Sequence, residues 1–344
     1  MQLVDRRLNW RLVGILISIL PMVLIFSFAP ISLNDFFSVG LIPFVISSVF
    51  VMAKVLLQAY RFQYFIVKFL GYPVNTTWNT IVARLGGEFI TQTTPSYVGG
   101  EILRIAWLTK HGVSPGKAAW IATMEIIADV LVGTILGIIA GLIALLNGAI
   151  IIGIIIILVS IASFSFWTFL LAFSSKKIFQ LPNFVTNILL RFVSQERTIK
   201  FINYTNTALK DLCMMSRENL NSKQTIKILS IGIGITFLAF LLFAFSFFIL
   251  SDALNLKINL FDSLLGTNAS TQLGSLPITL GGTGLAELGL WAYVSTLSSF
   301  PSLNDFLTSP FLTIILIWRI SSYHVPLIFM WISFMRITIQ KKIS

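Results

Sequence analysis

Thr91-Gln-Thr-Thr-Pro-Ser-Tyr-Val-Gly-Gly-Glu101, with Arg104 just beyond, decides how this chain is read. It has an echo in Thr271-Gln-Leu-Gly-Ser-Leu-Pro-Ile-Thr-Leu-Gly-Gly-Thr-Gly284, with Glu287 just beyond. Each copy carries Thr-Gln, then Pro-x-x-x-Gly-Gly, then an apolar segment holding a carboxylate. Pro95 and Pro277 stand 182 positions apart, as do Gly99 and Gly281, in a chain of 344 residues. Both copies lie in otherwise apolar territory. Two apolar segments broken by Gly and Pro, at matching places in two halves, point to the central site of a transporter.

The chain around them is 56% hydrophobic and 11% charged, with a mean hydropathy of +0.90. Soluble domains carry about 25% charged residues. Apolar runs long enough to cross a bilayer, roughly 20 residues each, are expected at Leu12–Ala29, Leu41–Tyr60, Ala118–Leu146, Ala149–Phe173, Ile228–Leu250 and Pro310–Phe334. The interrupted segments occupy about Asn75–Trp107 and Leu264–Val294. The expected fold is therefore all-α: a polytopic membrane protein of about six full spans plus two re-entrant helical hairpins in inverted repeats. It forms a single membrane domain over 1–344, with repeats of about 1–173 and 228–344. Between them, 174–227 is the most polar stretch. It reads either as amphipathic helices on an anionic membrane surface or as a solvated helical hairpin.

The net charge of +11 would suggest nucleic acid in a soluble protein. Here it follows the spans instead. Twenty of the 24 basic residues fall on the side of the N-terminus, Arg61 and Lys68 among them, and one, Lys257, falls opposite. Lys54, Arg84 and Arg319 remain at membrane depth. Such a bias puts both termini in the cytoplasm of a cell-membrane protein. It also makes the two hairpins enter from opposite sides, the orientation an inverted repeat requires. With one cysteine and two histidines, no Cys/His metal site and no cofactor are expected.

Ionisable side chains inside a bilayer cost at least about 2.5–3.5 kcal/mol each and are functional candidates by default. The acids are Glu88, Glu101, Glu125, Asp129 and Glu287; the bases are Arg84, Arg104, Arg319 and Lys54. Arg84 and Glu88 share a helix face and read equally as a structural pair. Glu125 and Asp129 lie one turn apart, near a stripe of small residues at Ala118, Ala122, Gly133, Gly137 and Gly141 that allows close helix approach. Gly99, Gly100, Gly281, Gly282 and Gly284 are expected to open half-helices whose N–H groups suit a phosphate. Glu101 also reads as a first-turn acid at a helix N-terminus.

Pro95-Ser-Tyr-Val-Gly-Gly-Glu101-Ile-Leu-Arg104 and Pro277-Ile-Thr-Leu-Gly-Gly-Thr-Gly284-Leu-Ala-Glu287 resemble the signature segments of the lysylphosphatidylglycerol synthase/flippase transmembrane family. The likeness extends over nearly the whole chain. It implies a flippase-like membrane domain; some members are fused to an aminoacyl-lipid synthase and others to a glycosyltransferase, for which a chain ending at Ser344 has no room. The expected function is a non-enzymatic lipid translocase. Its partner would be a membrane lipid with a charged head group: a phospholipid, an aminoacyl-lipid or a polyisoprenoid-linked lipid. The rival expectations are an accessory subunit of a separately encoded lipid-modifying enzyme or glycosyltransferase, and an intramembrane enzyme using the carboxylates.

Overall fold

The computed structural model describes residues 37–94, 99–176, 195–276, 279, 281–297 and 310–339. The first expected span at 12–29, the loop acids Asp35 and Asp305, the motif prolines Pro95 and Pro277, and residues 177–194 lie outside them. The described residues form helices α1 (Leu41–Leu70), α2 (Thr77–Thr93), α3 (Gly100–Lys110), α4 (Pro115–Leu146), α5 (Ile150–Lys176), α6 (Gln195–Asn219), α7 (Lys223–Ala253), α8 (Leu260–Gly274), α9 (Leu285–Leu297), α10 (Pro310–Arg319) and α11 (Val325–Ile339). A π-helical turn, Ile320–His324, joins the last two.

Local chemistry sets several boundaries. The Thr76, Ser222 and Asn259 side chains accept the backbone N–H groups of Asn79, Thr225 and Asp262, capping α2, α7 and α8. Pro115 opens α4 at a position where its missing N–H costs nothing; the Ser114 side chain makes no capping bond there. Gly71 closes α1 in the left-handed conformation. Pro326 has no N–H to return to the carbonyl four residues back, which falls inside the π turn.

Five helices are long and apolar enough to span a membrane: Leu41–Leu70, Pro115–Leu146, Ile150–Phe173, Lys223–Ala253 and Phe311–Thr338. They correspond to the last five of the six expected spans. The second span is longer than expected. It does not stop at Tyr60 but runs ten residues further, because Phe62, Phe65 and Ile66 continue the buried face. Arg61, assigned from the sequence to the loop after that span, is therefore in the body of α1 and fully buried.

Packing between the two halves is reciprocal. The helices that precede the breaks, α1 and α7, pack along each other. α2 pairs with α3, and α8 with α9. α4, which follows the first pair, packs on α8; α11, which follows the second, packs on α2. Close backbone approach fixes both pairs. A Cβ on Gly87 would come within 2.9 Å of the Gly100 carbonyl oxygen, and one on Gly289 within 2.6 Å of the Ala269 carbonyl oxygen. The α4 stripe serves the same end: Gly133 faces Gln272 of α8, Gly137 faces Ser160, and Gly141 lies against Gly153 and Ile157 of α5. In the polar region, α6 packs on α4 and α5 and buries Cys213 and Ser216.

Candidate functional site

A buried charge cluster ties α1, α2, α3 and α4 together around Glu125, whose side chain is 1% exposed. Arg104 Nη1 donates to its Oε2 at 2.6 Å, Arg84 Nε to its Oε1 at 3.2 Å, and Arg61 Nη2 to the same Oε1 at 3.5 Å. Each arginine also holds a second carboxylate. Arg61 grips Asp129 with both Nη atoms, at 2.5 and 2.8 Å, and donates to Thr236 of α7. Arg84 donates to Glu88, which also accepts from Gln92 Nε2 at 3.0 Å. Arg104 Nη2 reaches Glu101 at 2.8 Å. Planar guanidinium groups suit such shared carboxylates. Asp129 is the open edge of the cluster, its side chain 35% exposed.

The second site is smaller. Arg319, at the end of α10, places Nε 2.9 Å from Glu287 Oε1, an ion pair off the linear hydrogen-bond direction. Its Nη2 donates to the Gly281 carbonyl at 2.7 Å, and its guanidinium lies 4.3 Å from the centre of the Tyr323 ring.

The two helix breaks touch. Gly281 N–H donates to Thr94 O at 3.4 Å, and the Tyr323 hydroxyl to Gln92 O at 2.8 Å. Gly281 has φ +58°, and a Cβ there would run into both Gln92 O and the Tyr323 hydroxyl. Glycine is thus required twice over, by conformation and by contact. Nearby, the Ser47 and Ser321 hydroxyls bond at 2.9 Å and join α1 to the π turn.

Of the acids, bases and break glycines singled out in the sequence, all but Lys54 lie in these two sites or at the breaks that border them. Arg84, Glu88, Glu101, Arg104, Glu125 and Asp129 converge in one cluster; Glu287, Arg319 and Gly281 in the other. Gly99, Gly282 and Gly284 have positive φ at the breaks. Two details differ from expectation. Two of the N–H groups at the breaks are taken by the chain itself: Gly99 N donates to Glu101 at 3.0 Å and Gly284 N to Glu287 at 2.7 Å, so each half-helix is capped by its own acid. Gly100 is a packing residue, because a Cβ there would overlap the Gly87 carbonyl and the Thr91 hydroxyl. Arg61 is the residue that sequence reasoning missed. Its signal was the apolar face that continues past it through Phe62 and Phe65.

The fold and its buried charges define an all-α, multi-pass membrane protein. Within that class the chain belongs to the family described as lysylphosphatidylglycerol synthase TM region, whose match covers residues 11–329. The family associates the chain with membrane lipid. No curated protein matches it.

Proposed function

We propose that this protein is a lipid translocase without enzymatic activity, acting on an amphiphile with a charged head group. The observation that carries this reading is the meeting of two broken helix pairs beside paired, buried charges. Irregular backbone among spanning helices is tolerated where it is buried in protein or lines a cavity, and intramembrane charges mark substrate paths. Here the breaks are the tips of two re-entrant hairpins in an inverted repeat, which the reciprocal packing of the halves supports. Lipid head groups pass where the tips meet. The contacts across that junction part and re-form, and the Arg319–Glu287 pair, bound to one tip, is the charge that exchanges with the head group. The same reading puts both termini and 174–227 in the cytoplasm of a cell-membrane protein.

The test is reconstitution in vesicles with tail-labelled lipids of anionic, zwitterionic and cationic head groups. The expected result is faster redistribution of at least one class than in empty vesicles. If no class moves faster, with or without an ion gradient, the translocase reading fails and an accessory role beside a lipid-modifying enzyme replaces it.

A further inference from the structure

Lys54 is a half-buried cation in the body of α1 that the site, as described, does not use. It lies on α1, two turns before Arg61 and on the same face. Its ammonium sits 3.9 Å from the centre of the Phe243 ring on α7, and among the described residues it forms no ion pair. It lies within the electrostatic reach of Glu88 and Asp129, which attract it, and of Arg84 and Arg319, which repel it. Lys54 thus feels the charges of both sites and is paired with neither.

The other cations are engaged. Arg61, Arg84, Arg104 and Arg319 each hold a carboxylate, and Gly99 and Gly284 N–H are capped by Glu101 and Glu287. An incoming anion has to compete with a bound carboxylate at each of these groups. To reach Lys54 it has only to draw the ammonium from an aromatic face. That exchange is favourable, because a charge-assisted hydrogen bond to phosphate is stronger than contact with a ring quadrupole. The flexible four-carbon stem allows the movement.

We infer that Lys54 is the anion anchor of the site, and that its ammonium takes the phosphate group of a lipid. This deepens the translocase reading and rests on it for the choice of lipid over free phosphate. The competing role is fixed charge balance, since the first cluster sets four acids against three arginines.

The experiment uses the full chain in detergent, stripped of lipid and titrated with phosphatidylglycerol or with diacylglycerol of the same acyl chains. Binding is read by native mass spectrometry and by the rise in melting temperature over each variant's own lipid-free state. Wild type is expected to prefer phosphatidylglycerol. Lys54→Met should lower that preference about tenfold and lose the phosphatidylglycerol-dependent rise, while Lys54→Arg keeps most of both. A rise that survives in Lys54→Met overturns the assignment, whatever that variant's basal stability. Millimolar inorganic phosphate should not compete; displacement by it would assign the anchor to soluble phosphate and refute the lipid source. If lipid binds through Lys54 but wild type redistributes none in vesicles, the anchor stands and translocation falls.

Discussion

The two broken helix pairs share a motif and differ in charge. Four residues before the shared Gln, the first pair has Glu88 and the second has Asn268. Glu88 pairs with Arg84, whereas Asn268 Nδ2 donates to the Gly133 carbonyl at 3.0 Å. After the glycines, the first pair presents Arg104 to an acid on the following helix, Glu125. The second presents an acid, Glu287, to an arginine on its following helix, Arg319. The polarity of the pair is inverted. The difference teaches that one motif built two kinds of site: a multiply bonded cluster locking four helices, and a single ion pair attached to a helix tip. The first suits a fixed wall and the second a part that moves.

Single substitutions at matched positions can break that comparison. The largest effect is expected from Glu125→Gln, which takes from three buried arginines the carboxylate they share and leaves each with a single acid. Loss of one partner in a buried pair costs about 3–5 kcal/mol, so folded yield and melting temperature in detergent should fall sharply. Glu287→Gln should instead leave the protein folded and stop lipid redistribution, because Arg319 keeps the Gly281 carbonyl and the Tyr323 ring. Equal melting temperatures for the two variants would remove the distinction between wall and moving part.

A second contrast concerns the neutral position. Asn268→Ala removes the second donor to the Gly133 carbonyl and leaves a gap where a fully buried amide stood; it should cost about 1–3 kcal/mol, visible as a modest loss of thermal stability. The smallest effect is expected at Gly284. Gly284 has open space around it and φ +84°, so Gly284→Ala should cost only its conformational strain, about 1–2 kcal/mol. Gly100→Val, which would drive α2 and α3 apart, should lower folded yield, though less than Glu125→Gln. If Gly100→Val folds normally, the close approach of α2 and α3 is not required.

Much of this was legible in the sequence, and the reasons are physical. Broken segments in apolar surroundings announce themselves through Gly and Pro, and charges inside spans are rare enough to be noticed individually. What could not be read was pairing. Glu125 serves three arginines from three helices, and linear spacing carries no information about such convergence. Arg61 was hidden for a related reason. A basic residue after a mostly apolar run of twenty reads as the end of a span, and only the buried face continuing beyond it says otherwise. The capping of Gly99 and Gly284 by Glu101 and Glu287 was half visible, as first-turn acids. Whether such an acid caps its own helix or waits for a ligand depends on rotamers that spacing does not fix.

The claim that lipid passes where the two halves meet can be tested at the Ser47–Ser321 contact, which joins α1 to the π turn. With Cys213 replaced by serine, Ser47→Cys and Ser321→Cys place two thiols where hydroxyls now bond at 2.9 Å, and oxidation would lock the junction. Redistribution of labelled lipid in vesicles is then measured before oxidation, after it, and after reduction. The account predicts transport that stops on oxidation and returns on reduction. Transport that continues unchanged through a complete cross-link would contradict it.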